Sequence, residues 1–177
     1  MAEPWLLCMK STEILLNALT ALISLHLYNA GFNAMMKLRS PDTYQNVETH
    51  ENVPLWPSVY TGIAVISNRD TPRHYDINGC PPWYDLLVSC GTHKTAEFSI
   101  PKLEVTLSYS PQTVVAVCGK ILSHEVVHWE GGERICMAHY MRNMVHDRLG
   151  VDQPSWCRHN IYRRKMHRGF LEGQHWT

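Results

Sequence analysis

Two groups of residues in this chain have the types and spacing to do chemistry. The first is the run HEVVH, in which His124 and His128 stand four residues apart with Glu125 between them. On a helix that spacing puts both imidazoles on one face, one turn apart, where they could share a zinc ion with the glutamate as general base of a hydrolase. The second is His74 and Asp76 in TPRHYDING, whose side chains, two apart on a strand, project to the same side. Two imidazoles and one carboxylate on a β scaffold can make a face that leaves positions open on Fe(II). His124 follows Asp76 by 48 residues and Arg134 follows His124 by 10, and the planar fork of an arginine suits the distal carboxylate of 2-oxoglutarate.

His124 belongs to both groups, so the element that carries it decides between them. The residues ahead of it, TVVAVCGKILS, are β-branched and contain Gly119; Val126 and Val127 favour a strand, and Gly131 and Gly132 would break a helix almost at once. A third zinc ligand is also lacking, because Arg134 stands where the extended zinc pattern wants His and no Glu lies between Glu133 and Glu172. Read as sheet, the segment is a strand ending near Val127, a turn over Glu130, Gly131 and Gly132, and a return strand over 133–141. His124 and Arg134 then sit on neighbouring strands of a hairpin and share a face if its register is even.

Those strands need a scaffold. Residues 5–39 favour helix, with Leu15, Leu19, Leu22, Leu25 and Leu27 among the apolar positions and Gly31 as the break between two helices. Residues 40–52 read as a polar loop. Eight short runs rich in Val, Ile, Thr and Tyr follow at close spacing: SVYTGIAVIS, RHYDI, WYDLLVS, AEFSI, EVTLSY, TVVAVCG, KILSHEV and ERICMAHYM. They predict a closed or sandwiched antiparallel sheet, with WYDLLVS also readable as helix. NMVHDRLGVDQPSW reads as a short helix stopped by Gly150, followed by the basic RHNIYRRKMHRG. The expectation is an α+β fold in a single domain over 1–177, with helices and loop over 1–52, a β core over 53–141, and a short helix with a basic tail over 142–177.

Lysine plus arginine equals aspartate plus glutamate at 16 each, so the overall charge points to no polyionic partner, although seven basic residues face three acidic ones from Arg142 onward. Six cysteines without a C-x-x-C pair suggest neither a structural zinc site nor a disulfide scaffold, and fit a reducing compartment. The apolar run 14–27 is interrupted by Asn17 and His26 and falls short of the roughly 20 residues of a membrane span, and Glu3 sits where a signal peptide wants positive charge. An intracellular protein with no membrane association is expected.

The segments WPSVYTGIAVISNRDTPRHYD, WYDLLVSCGTH, SYSPQTVVAVCGKILSHEV and GGERICMAHYMRNMVHDRLGV resemble, over about residues 55–151, the oxygenase domain of the TET/JBP family, in particular the forms that accompany fungal transposons. The resemblance implies a double-stranded β-helix of the jelly-roll or cupin kind with the N-terminal helices packed on the sheet. It implies that His74, Asp76 and His124 are the catalytic centre and bind Fe(II), that Arg134 binds the carboxylate of 2-oxoglutarate, and that Arg69, with Asn68 beside it, helps to hold that cofactor. O2 is then the co-substrate. The implied substrate is a methylated base in DNA, with RNA as the other option: 5-methylcytosine oxidised to 5-hydroxymethylcytosine and further, or N6-methyladenine demethylated. A duplex base must be flipped out to reach the metal. Trp83, Tyr84, Trp156 and Tyr162 are candidates to stack on it, and the basic tail is a candidate to track phosphates or to serve as a nuclear address. A nuclear monomer is expected.

His128, His139 and His146 read as surface or structural histidines. The chain departs from the family pattern where glycine is usual, at Glu104, Gln112 and Glu125, and where arginine is usual, at Tyr75; Glu125 is placed to crowd the site. Two other readings stay open: a zinc hydrolase using His124, Glu125 and His128, and a catalytically inactive relative that binds nucleic acid.

Overall fold

The computed structural model describes residues 2–40, 43 and 52–155; Trp156, Tyr162, the basic tail and most of the 40–52 segment lie outside the described residues. Helices α1 (Ala2–Ile23) and α2 (Leu25–Leu38) come first and helix α3 (Asn143–Leu149) last. The first two part at Ser24, not at Gly31. Ser24 is extended, with φ −151°, and its hydroxyl accepts from the Leu27 N–H, capping α2. Gly31 lies inside α2 because the helix makes a close approach there: a Cβ would fall 2.3 Å from the Val59 carbonyl oxygen and 2.5 Å from the Met141 side chain. A glycine needed for such an approach looks, in a sequence, like a glycine that stops a helix.

Between the helices run β1 (Gly62–Ser67), β2 (Thr71–His74), β3 (Asp85–Gly91), β4 (Thr95–Ile100), β5 (Val105–Ser108), β6 (Val114–Val117), β7 (His124–Val126), β8 (Trp129–Glu130) and β9 (Arg134–Tyr140). Each β-like run of the sequence holds one strand, WYDLLVS included; β8 is too short to show as a pattern. The strands form two antiparallel sheets, β1-β9-β3-β6 and β2-β7-β4-β5, with β8 paired to β4. The chain passes back and forth between the sheets, which is the winding of a double-stranded β-helix in the jelly-roll class. This corrects the hairpin expected over His124 and Arg134. β7 and β9 belong to different sheets, so the two side chains reach the interior from opposite walls.

The first sheet is covered on both faces. Leu87 on β3 and Cys136 on β9 meet Phe98, Val126 and Tyr109 between the sheets, whereas Leu86 and Val88 pack on Leu16, Leu27 and Tyr60 on the helix side. This two-sided burial explains why Leu86, Leu87 and Val88 are consecutive apolar residues rather than alternating ones. α1 turns Leu6, Glu13, Leu16 and Thr20 inward, at the spacing of one helical face. Glu13 and His139 are fully buried and joined by a 2.8 Å contact from Oε1 to Nε2, which clamps α1 to β9. By length and composition alone Glu3–Ile23 is apolar enough to cross a membrane, a longer stretch than the sequence run suggests.

Candidate metal centre

β2 and β7 pair with His74 opposite His124, which sets their rings 4.4 Å apart at one end of the second sheet. β2 ends at His74, so Asp76 is not its strand neighbour as expected but lies in the turn beyond. The Asp76 N–H donates to the Gly119 carbonyl at 2.9 Å and its carbonyl accepts from the Gly79 N–H at 2.9 Å. The turn delivers the carboxylate between the two imidazoles: Oδ1 is 3.6 Å from His74 Nε2 and Oδ2 is 3.8 Å from His124 Nε2. One donor atom from each residue lies within 4.8 Å of the other two, a spacing that suits a metal ion.

Backbone carbonyls fix the tautomers. His74 Nδ1 bonds the Pro72 carbonyl at 2.9 Å and His124 Nδ1 bonds the Leu122 carbonyl at 3.2 Å. A carbonyl only accepts, so each neutral ring carries its proton on Nδ1 and directs the Nε2 lone pair toward Asp76. Burial pushes the His124 pKa down, with the Leu122 carbonyl and Asp76 pulling the other way, which favours the neutral form a metal needs. Phe98 stacks on the His124 ring at 5.4 Å and covers it from inside the sandwich.

The three side chains line a cavity of about 190 Å³ between the sheets. Along its opposite wall β9 contributes alternate residues, Arg134, Cys136, Ala138 and Tyr140. Arg134 is only 1% exposed. Its Nη1 donates to the Arg69 carbonyl at 2.9 Å and its guanidinium lies 5.9 Å from the Tyr109 ring, but Nε has no partner and no carboxylate pairs with it among the described residues. A buried guanidinium with no counter-charge is expensive to maintain, and a carboxylate entering the cavity would satisfy both the charge and the free donor.

A family model describing the oxygenase domain of the 2OGFeDO superfamily, Tet_JBP, matches residues 12–143. The chain belongs to the Tet/JBP oxygenase family. The match starts within α1 and ends at the first residue of α3, so the Tet/JBP domain takes in the second half of α1 and all of α2 as well as the β core. No curated protein matches the chain. Among solved structures, NgTET1 in complex with 5mC DNA is similar over 76% of this chain and 49% of that one, with 15% identity and a TM-score of 0.49, so the chain spans about half of that protein's length.

Several sequence expectations for this Tet/JBP domain need correction. The zinc reading fails on geometry: His124 lies on a strand, and the His128 side chain is 68% exposed, paired with Glu130 at 3.1 Å away from the His74, Asp76 and His124 cluster. Glu125 does not crowd the site, because strand alternation turns it outward to Arg73 at 3.0 Å. Trp83 is buried, with its Nε1–H bonded to the Pro154 carbonyl and its ring 5.3 Å from that of buried His146, so it is a core residue rather than a stacking surface. Neither Trp83 nor Tyr84 lines the cavity. Asn68 and Arg69 do not line it either: both contact Arg134, Asn68 through its N–H and Oδ1 and Arg69 through its carbonyl.

The residue most plainly missed in the Tet/JBP chain is Asp85. It is buried at the head of β3, lines the cavity with Asp76 and Arg142, and has its pKa pushed up to about 8 by burial first and by the Asp76 charge second. The available signal was a single charge opening an otherwise apolar strand, DLLV.

Proposed function

We propose that this domain binds Fe(II) through His74, Asp76 and His124, holds the distal carboxylate of 2-oxoglutarate on Arg134, and oxidises the methyl group of a modified base in DNA. The observation that carries the proposal is the pairing of a His-Asp-His face with a buried, unneutralised arginine on the far wall of one cavity. The donor set fits the metal: two imidazoles whose Nδ1 atoms are engaged by backbone carbonyls, and one carboxylate, a combination suited to ferrous iron with positions left free.

Iron held by His74, Asp76 and His124 would supply the oxidation of a methyl group, with O2 and 2-oxoglutarate consumed and succinate and CO2 formed. The protein's own part is geometric and electrostatic. Asp76 brings the one negative charge of the ligand set, and Arg134 orients the co-substrate with a fork matched to its carboxylate. Ile66, Leu87, Phe98 and Val126 give the cavity apolar walls that keep water from the reacting groups. A base in duplex DNA would enter by flipping out of the stack, and 5-methylcytosine and N6-methyladenine are the two substrates the family reading supports. Action on DNA would place the protein in the nucleus.

Succinate release tests the proposal. Wild-type protein with Fe(II) should convert 2-oxoglutarate to succinate, and Arg134→Gln should raise the 2-oxoglutarate concentration needed by about tenfold or more, the loss of a charge-assisted fork. Turnover that needs no 2-oxoglutarate, or that is indifferent to Arg134→Gln, would refute it.

A further inference from the structure

Asp76 stands outside the strand ladder, yet its carboxylate must stay between two imidazoles. The chain that faces it is the turn over residues 118–122, closed by the Ile121 and Leu122 N–H groups donating to the Cys118 carbonyl at 3.0 Å each. Gly119 is the point of contact. Its carbonyl takes the Asp76 N–H at 2.9 Å, and a Cβ built on it would fall 1.8 Å from Asp76 Oδ2, 2.8 Å from Cγ and 3.1 Å from Cβ. Gly119 is not among the residues with positive φ, so no left-handed backbone conformation calls for glycine there. What requires glycine is the carboxylate. Lys120 bonds the Ile77 carbonyl just beyond Asp76, and Leu122, at the far end of the turn, orients His124 through Nδ1 at 3.2 Å.

We propose that Gly119 is a positioning residue of the metal centre: the space left by its missing side chain seats the Asp76 carboxylate, and the 118–122 turn holds Asp76 and His124 as one unit. This rests on the ligand roles proposed above. The magnitude decides the matter. A methyl group at 119 would have to push the carboxylate by about 1 Å or more, because the 2.9 Å backbone bond stops the two segments from parting, and a working ligand set tolerates only about 0.5 Å. Gly79 supplies a control, since a Cβ there would meet the Asp76 carbonyl oxygen at 3.2 Å and no carboxylate atom nearer than that.

The test compares Gly119→Ala, Gly79→Ala, Asp76→Ala and the double variant Gly119→Ala/Asp76→Ala, using Mn(II) affinity by electron paramagnetic resonance and the Tm of the metal-free protein. Gly119→Ala should weaken Mn(II) binding about tenfold or more and Gly79→Ala by less than about threefold. Gly119→Ala should lower the metal-free Tm, and most of that loss should disappear in the Asp76→Ala background, where Oδ2 and Cγ, the two atoms nearest the new methyl, are gone and only the Cβ at 3.1 Å remains. A loss of Tm that is the same in both backgrounds, or unchanged Mn(II) affinity, would overturn the proposal. If Gly119→Ala does not fold, the double variant decides: restored folding supports the contact and continued failure refutes it. Wild-type protein that bound no Mn(II) would sink the metal reading itself, while the Tm comparison would still judge the contact.

Discussion

Asn68 and Arg134 are bound to each other twice: the Asn68 N–H donates to the Arg134 carbonyl at 2.8 Å, and the Arg134 N–H donates to Asn68 Oδ1 at 2.9 Å. Asn68 does this at φ 49°, a left-handed conformation that asparagine tolerates better than most residues. Asn68→Ala removes the acceptor and keeps the strained φ, so we expect a loss of about 1–2 kcal/mol in denaturant unfolding and a higher 2-oxoglutarate requirement, because the root of Arg134 loosens. Asn68→Gly relieves φ alone and should fall between the two. Wild-type behaviour of Asn68→Ala in both assays would show that Arg134 is held by other means.

The histidines of HEVVH should separate cleanly. His124 faces Asp76 from a buried strand position, whereas His128 is exposed and touches Glu130. His74→Ala and His124→Ala should abolish Mn(II) binding and succinate release, and His128→Ala should keep both within about twofold, as expected for a surface pair of little energetic weight. Equal damage from all three would revive the zinc reading.

Asp85 should give stability a pH signature. The residue is 8% exposed, and the pKa of its carboxyl is pushed up to about 8 in the folded protein, by burial first and Asp76 second with Arg142 opposing. In the unfolded chain an aspartate titrates at about 3.9. Between those values the folded state keeps a proton that the unfolded state has lost, so this stabilising contribution is complete below about pH 4 and disappears as pH rises to about 8. Asp85→Asn has the shape without the titration. The Tm of Asp85→Asn relative to wild type should therefore climb between about pH 5 and pH 8 and then level off, and a difference independent of pH would contradict this.

Two residues occupy conformations made for glycine. Glu104 has φ 54° and Gln112 has φ 73°, the latter after Pro111 in a turn closed by the Thr113 N–H on the Ser110 carbonyl at 3.1 Å. Positive φ at the third position makes that turn type II, where a side chain is strained. Glu104→Gly and Gln112→Gly should each stabilise the protein by about 0.5–1 kcal/mol, read as a higher Tm with unchanged metal binding. A lower Tm for both would mean that their side chains make contacts worth more than the strain.

What the sequence disclosed was local. Alternating β-branched runs announce strands, and the residue types of His74, Asp76, His124 and Arg134 announce their chemistry. What stayed hidden depends on partners far along the chain. Glu13 looks like a surface charge on an amphipathic helix until His139, 126 residues away, is seen to meet it. Gly31 and Gly119 look like helix or strand breakers, yet each serves a close approach by another segment. The hairpin expected between His124 and Arg134 fails because β8 pairs with β4 and the chain then crosses to the other sheet, a choice set by tertiary pairing rather than by the Gly131 and Gly132 turn.

Mass spectrometry of DNA oligonucleotides carrying 5-methylcytosine or N6-methyladenine, incubated with the protein, Fe(II), ascorbate and 2-oxoglutarate, tests the central claim most directly. The expected result is oxygen added to the 5-methyl group, or the N6-methyl group lost, with succinate formed in step and both signals absent from His124→Ala. Both bases unchanged, with protein that demonstrably holds iron and 2-oxoglutarate, would contradict it.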